Sequence, residues 1–475
     1  MAKHFYLTTT LPYVNADPHI GFAFELVTAD VVARYHALSG EEVFFNTGTD
    51  EHGLKIYRKA LEEGKEPQGY IDEYAAKFKN LQTILGLSSD IHFIRTSDPT
   101  HKAAAQEFWR RCAAAGDIYK KNYKIKYCVG CELEKSDSEL VHSRCPLHLN
   151  LELEIIEEEN YFFRFSKYQQ PLLELYARQS DFVVPDFRFN EVKKFVEGGL
   201  EDFSISRLSS KLPWGVSVPD DPAQTMYVWF DALVNYISTI GWPQEQKLFE
   251  KWWPVVQFAG KDNTRQQAAM WQAMLMSAGL PPSKQIVIHG FIMSGGQKMS
   301  KSLGNVIDPL ALVAEYGTEA VRYFLARHVN PFEDSDFTME RFKESYNAHL
   351  ANGLGNLVSR IMTLAEKYLP KGTQPPVSGF PVEFTEPMEN YEINRAMDYI
   401  WSHVQALDQK ITTTEPFKVV KEDVEKGRAL IFELTQELYL VARMLNPFMP
   451  ETNATIKDLV KANKVPAKPL FLRKE

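Results

Sequence analysis

The sequence predicts an α/β protein built on a parallel sheet, split by an inserted metal-binding module and followed by an all-α bundle. Three observations carry that expectation. Residues 5–10 (FYLTTT) form a short apolar stretch that leads through a turn into a helical stripe and then a second apolar stretch, residues 42–46 (EVFFN). This is the strand–helix–strand order of a parallel sheet. In the middle of the chain, three of the four cysteines cluster beside histidine. From about Phe342 onward the strand signals fade, and apolar residues recur at helical spacing.

Composition narrows the class. A chain of 475 residues accommodates two to four domains, and 44% hydrophobic with 24% charged residues is ordinary for a globular protein. There is no uncharged apolar run of about 18 residues, so no membrane span is expected. The first strand begins with no signal-peptide pattern ahead of it, which predicts a cytoplasmic protein. Four cysteines are too few for a disulfide framework in a chain this long. The net charge of −9 argues against indiscriminate nucleic-acid binding, although Lys457, Lys461, Lys464 and Lys468 make a local basic set.

Taken in order, the first strand ends where Pro12, Asn15, Asp17 and Pro18 mark a turn. Ile20, Phe24, Val27, Val31 and Leu38 then make one helical face. The exposed N–H groups at that helix start suit a phosphate. His19 would add a donor there, and Gly21 would let a flat base or sugar approach the backbone; alone, such a string is more often a plain turn than a nucleotide site. The second strand runs into residues 47–53 (TGTDEHG), polar groups at the end where parallel sheets bind ligands. Helices are expected over 54–63, 67–85 and 98–115, the last capped by Asp98 with Pro99 in its first turn. Residues 1–115 thus form the first half of the sheet domain.

At Gly116 the pattern changes to short strand-like pieces, clustered cysteines and an acidic run, so 116–225 reads as an insertion, with helices over 168–178 and 191–198. Sheet character resumes over 226–341. Its expected strands are 226–230 (MYVWF), 255–259 (VVQFA) and 285–289 (QIVIH), with a helix over 264–277 between the last two. Residues 342–475 form the bundle, with helices over 346–368, 392–411, 424–445 and 452–459 and a linker over 370–387.

Within the insertion, Cys128-x2-Cys131 and Cys145-x2-His148 supply four soft or borderline ligands in two knuckles. That set fits one tetrahedral zinc with a filled shell, hence a structural ion. His142 is a second candidate for the fourth ligand. Further on, residues 295–305 (GGQKMSKSLGN) place Lys298 and Lys301 between glycines. Two ammonium groups on such a loop suit a leaving pyrophosphate, although a plain lysine-rich loop has the same look.

His19-Ile20-Gly21 and the KMSKS of residues 298–302 resemble, in order and placement, the two signatures of class I aminoacyl-tRNA synthetases. Within that class, LPYVNADPHIG, TGTDEHG, YVWFDALVNY, GKDN and the knuckles are similar to the methionyl-tRNA synthetase family, from residue 5 to about 450. The resemblance implies a Rossmann-like catalytic domain, split by the knuckle module, and an anticodon-binding bundle. It implies a cytoplasmic ligase that joins L-methionine to tRNA(Met) through methionyl-adenylate, with Mg²⁺ accompanying ATP. His19, Lys298 and Lys301 would be catalytic, and these with Gly21 and Phe22 would bind ATP. Methionine would meet Leu11, Tyr13, Asp50, Trp229, Ala232, Leu233, Tyr236 and Asp262, with Arg207 a further polar neighbour. Asn356, Arg360 and Phe417 would read the anticodon.

Three positions depart from the family pattern. Phe22 stands where the first signature has a second histidine, Gln267 where a histidine is frequent, and Phe417 where the family has tryptophan. Relatives specific for leucine, isoleucine or valine usually carry a large editing domain, for which residues 116–222 are too short. A dimerising C-terminal extension of the oligonucleotide-binding type is missing, which predicts a monomer.

Overall fold

The computed structural model describes residues 3–135, 137–299, 304–370 and 379–475. The chain forms two compact units. One comprises residues 1–18, 42–81 and 89–288; the other comprises 19–41, 82–88 and 289–475.

The first unit is built on a six-stranded sheet. Its order is His92–Arg95, Glu42–Thr49, His4–Thr8, Val256–Gly260, Gln285–His289 and Val183–Val184. The first strand is parallel to both neighbours, with Leu7 opposite Phe45 on one side and Val256 on the other. Strand order reverses here, so the segments leaving His4–Thr8 and Val256–Gly260 diverge and leave the crevice where such sheets bind ligands. Phe108, Phe230, Trp242 and Trp271 fill the core, with Phe108 stacked on Trp271 at 5.5 Å. The Rossmann-like expectation is borne out, including its interruption by an insertion. That insertion contains an antiparallel sheet ordered Leu133–Lys135, Ile118–Cys128, Glu154–Phe163 and Phe203–Ser204.

One expected strand is not a strand. Residues 226–230 were expected in the parallel sheet, but Asp221–Met226 is an antiparallel strand opposite Ser206–Leu208, and Val228–Ala232 is helical. A short apolar run buried on all sides has no period that separates strand from helix; Val228 is 2% exposed and Phe230 fully buried. Asp98 also differs from expectation. Its carboxylate accepts from the Arg95 N–H at 3.0 Å and makes no cap bond to the helix Pro99–Ala114.

The second unit contains the helix Ile20–Leu38, a small sheet of Gln297–Lys298, Ile292–Ser294 and Ser335–Phe337, and the bundle. The main bundle helices are Asn356–Tyr368, Ile393–Thr414, Val424–Leu445 and Pro450–Ala462. Of the stretch expected to be linker, residues 371–378 lie outside the described residues, and its end is taken up by a further helix, Val382–Glu389. Arg322, wholly buried, binds the unit together. It pairs with Asp30 at 2.8 Å and donates to the carbonyls of Leu85, Pro447 and Phe448. Among the described residues, no helix is long and apolar enough to cross a membrane.

Candidate active site and metal knuckle

In the first unit, the segment after the first strand is laid along Asp50. Tyr13 and Asp50 form a parallel bridge, the Val14 N–H donates to the Asp50 carbonyl at 3.3 Å, and the Asp50 N–H to that of Pro12 at 3.0 Å. Asp50 is 3% exposed, and no ion pair reaches it among the described residues. Burial, and then the carboxylates of Asp231 and Glu132, push its pKa well above the usual carboxylate range. The Tyr13 ring meets Trp229 edge-on at 6.3 Å, and Tyr13 Oη and Trp229 Nε1 are buried without hydrogen-bond partners among the described residues. A buried carboxylate and two unsatisfied polar tips are groups that a polar, cationic ligand would satisfy.

Trp229, Ala232, Leu233 and Tyr236 share a helical face, since successive turns continue from Val228–Ala232 into Asn235–Ser238. Ala232, Leu233 and Tyr236 are buried. Gln267 donates to Tyr236 Oη at 2.9 Å, which joins the departing position to the expected pocket. Leu11 is half-buried in the same loop as Tyr13, and Asp262 is exposed in the turn after Val256–Gly260. Arg207 is buried between the rings of Tyr127 and Tyr227, at 5.2 and 5.3 Å. It borders a cavity of about 290 Å³ together with Leu54, Arg58 and Glu132.

Sequence reading missed a buried cluster behind this site. Asp231 receives His52 Nδ1 at 2.5 Å and His101 Nε2 at 2.9 Å, and His101 Nδ1 lies 3.0 Å from Ser238 Oγ. Burial alone would raise the Asp231 pKa; the two imidazoles outweigh it and hold the carboxyl below the usual range. His52 lies in TGTDEHG and Asp231 in YVWFDALVNY, so the motifs contained the residues without revealing that they pair.

In the second unit, His19 is the N-cap of Ile20–Leu38, and its Nδ1 accepts from the Gly21 N–H at 3.0 Å. A capping Nδ1 carries no proton, so the neutral ring carries its N–H at Nε2 as a donor. Phe22 lies against this ring at 4.4 Å between centroids. A Cβ on Gly21 would sit 2.8 Å from His19 Cε1, so this glycine is required by the cap itself. The Ile20 N–H donates to the Ile307 carbonyl at 3.0 Å, tying the helix start to the segment after the lysine loop. Gly295 and Gly296, at φ of 61° and 72°, form the tight turn between Ile292–Ser294 and Gln297–Lys298. Lys298 lies over the Phe291 ring at 4.7 Å. Lys301 lies outside the described residues.

The knuckles converge. The ligand atoms of Cys128, Cys131, Cys145 and His148 all lie within 4.8 Å of one another. Cys128 Sγ is 3.6 Å from His148 Nδ1, and Cys131 Sγ is 3.9 Å from Cys145 Sγ. A tetrahedron with bonds of about 2.3 Å has edges of about 3.8 Å, so these four are positioned to hold one metal ion. His148 is the fourth member of the group; His142 is exposed and outside it. Gly130 is required between the cysteines, because a Cβ there would lie 2.5 Å from the His148 ring.

In the bundle, Asn356 is exposed, and Arg360 on the next turn is paired with Asp408. Phe417 is 40% exposed in the first turn of Pro416–Glu422.

The profile of "tRNA synthetases class I (M)" matches residues 5–153 and 138–362. The methionine–tRNA ligase of Thermotoga maritima is 41% identical over 98% of this chain and 76% of its own length. That of Thermosynechococcus vestitus is 43% identical over 96% and 90%. Among solved structures, Mycobacterium tuberculosis methionyl-tRNA synthetase in complex with methionyl-adenylate superposes with a TM-score of 0.91 at 35% identity, covering 99% of this chain and all of that one. The chain belongs to the methionyl-tRNA synthetase family of class I aminoacyl-tRNA synthetases.

Proposed function

We propose that the protein is a methionine–tRNA ligase. Methionine carboxylate attacks the α-phosphate of ATP, giving methionyl-adenylate and pyrophosphate, and the terminal adenosine of tRNA(Met) then takes the methionyl group. The carboxylate is already ionised at neutral pH, so the first step needs no general base. The protein positions the reactants and meets developing charge. His19 Nε2–H donates to ATP phosphates from the helix start, and Lys301, assisted by Lys298, neutralises the departing pyrophosphate. Mg²⁺ accompanies ATP.

The observation that carries the methionine assignment is Asp50, buried and unmatched by a cation, where an α-ammonium restores the charge balance. Tyr13, Trp229, Ala232, Leu233 and Tyr236 enclose the thioether, since aromatic edges favour sulfur. Leu11 and Asp262 complete the seat. Zinc is the ion favoured by the three cysteines and one histidine; with four protein ligands it stiffens the insertion and takes no part in the chemistry. Asn356, Arg360 and Phe417 meet the anticodon, with Phe417 stacking on an unstacked base.

ATP–pyrophosphate exchange across the amino acids tests the reading. Exchange that depends on methionine is expected. Exchange with leucine and not methionine, or with no amino acid, overturns it.

A further inference from the structure

A tryptophan far along the chain reaches the peptide beside Asp50. The Trp214 Nε1–H donates to the Glu51 carbonyl at 2.7 Å, across 163 positions of the sequence. The other end of the same peptide unit is the His52 N–H, which donates to Asp50 Oδ1 at 3.4 Å. In a trans peptide the carbonyl and the N–H point in opposite directions, so a bond to one fixes the tilt of the other. The indole N–H, the peptide and the carboxylate thus form one line of hydrogen bonds, in which each bond polarises the next. The last bond is at the long end of the useful range, so a small tilt of the plane would break it. Both flanks of this peptide are fixed. Upstream, the Glu51 N–H donates to Thr96 Oγ1 at 2.9 Å. The wholly buried Glu51 carboxylate accepts from Thr49 Oγ1 at 2.8 Å, from Arg95 Nε at 2.6 Å and from Ser97 Oγ. Downstream, the His52 ring is held by Asp231, and the Trp214 ring stands edge-on to it with 6.2 Å between centroids. Trp214 itself is half-buried, in the stretch between Ser206–Leu208 and Ser217–Val218. That stretch is tied down where Thr225 Oγ1 donates to the Leu212 carbonyl at 2.8 Å.

We propose that Trp214 is a positioning residue for the amino-acid site: its indole N–H holds the Glu51–His52 peptide so that the His52 N–H presents the Asp50 carboxylate to the α-ammonium of the substrate. The proposal rests on the methionine-activating reading above. Were the indole only packing, its loss would weaken every ligand of the site alike. Acting through Asp50, it governs the ligands that carry an ammonium and leaves the others untouched.

The experiment measures the methionine KM and two inhibition constants in ATP–pyrophosphate exchange, using the full-length wild type and Trp214→Phe, which keeps an aromatic ring and removes the donor. The competitors separate the two roles. Methioninol keeps the ammonium and lacks the carboxylate, whereas γ-methylthiobutyrate keeps the carboxylate and thioether and lacks the ammonium. Trp214→Phe should raise the methionine KM and the methioninol inhibition constant roughly three- to tenfold, with kcat within about twofold of wild type and the γ-methylthiobutyrate constant unchanged. Equal losses for all three ligands make Trp214 merely structural and overturn the proposal, as do three unchanged constants. Should Trp214→Phe not fold, site-specific replacement of Trp214 by benzothienylalanine, which has the shape of the indole side chain and no N–H, decides by the same three constants. Wild type lacking methionine-dependent exchange is a separate result that defeats the methionine reading itself.

Discussion

A methyl group on Gly21 would lie 2.8 Å from His19 Cε1 and 3.0 Å from Nδ1. The ring must then leave its cap, and the Nε2–H donor leaves with it. Gly21→Ala is accordingly expected to reduce ATP–pyrophosphate exchange about tenfold or more, chiefly as a higher ATP KM; unchanged kinetics would show that the cap does not aim the ring. Asp50 makes a second prediction, with the opposite partner. Its pKa is raised by burial and by Asp231 and Glu132, while the His52 N–H, at 3.4 Å from Oδ1, lowers it. Only the ionised form pairs with an ammonium, so protons compete with methionine. Methionine KM should rise as pH falls, beginning above the ordinary carboxylate range, and Asp50→Asn should raise KM by roughly thirtyfold or more while removing that rise. A pH-independent KM in the wild type would detach Asp50 from the ammonium. At this scale the sequence exposed single residues within motifs and concealed their partners. Asp50 and Tyr13 could be chosen from their strings, but His52 meets Asp231 across 179 positions. No local period reports such a pairing.

Elements show the same division between local and long-range information. The knuckle ligands were legible because two-residue spacing is imposed by one ion, yet Gly130 acquires its reason only from the His148 ring 2.5 Å from its absent Cβ. Gly130→Ala should lower the bound zinc measured by atomic absorption and lower the melting temperature, and chelation of the wild type should do the same. Metal-free protein with native melting would leave the cluster without a structural role. Arg322 is the comparable anchor in the second unit. Asp30 would be raised by burial, but Arg322 and Arg34 hold it below the usual range. Because the folded value is the lower one, this stabilisation is present above the unfolded carboxylate value and is lost as pH falls through the folded one. Arg322→Met leaves Asp30 with only Arg34 as a cationic partner and strands three carbonyls, and should cost about 3–5 kcal/mol in denaturant unfolding. Long helices such as Val424–Leu445 were legible from their stripes. Val183–Val184 and His92–Arg95 were not, since two or four residues carry no readable period.

For the whole molecule, fold class followed from local signals, whereas the strand order required pairings such as Leu7 with Val256 that lie far apart in the chain. The compact units also cut across the order of the chain: residues 1–18 belong to one, and the helix beginning at Ile20 to the other. Asp50, Tyr13 and Tyr236 therefore lie in the first unit, and His19, Lys298 and the bundle in the second. Phe417 is 40% exposed, and Glu415, at φ 42°, turns the chain immediately before Pro416 opens the short helix that presents it. Truncating so exposed a ring removes little buried area, so stability should change by less than about 1 kcal/mol. Base–aromatic stacking contributes about 1–3 kcal/mol per base, which corresponds to roughly 5- to 150-fold in tRNA affinity. Phe417→Ala should thus leave methionine-dependent ATP–pyrophosphate exchange within about twofold of wild type while lowering kcat/KM for tRNA charging by that larger factor. Phe417→Trp should restore charging, because it keeps the stacking face. If exchange and charging instead fall together, Phe417 supports the fold of the bundle and does not meet the anticodon.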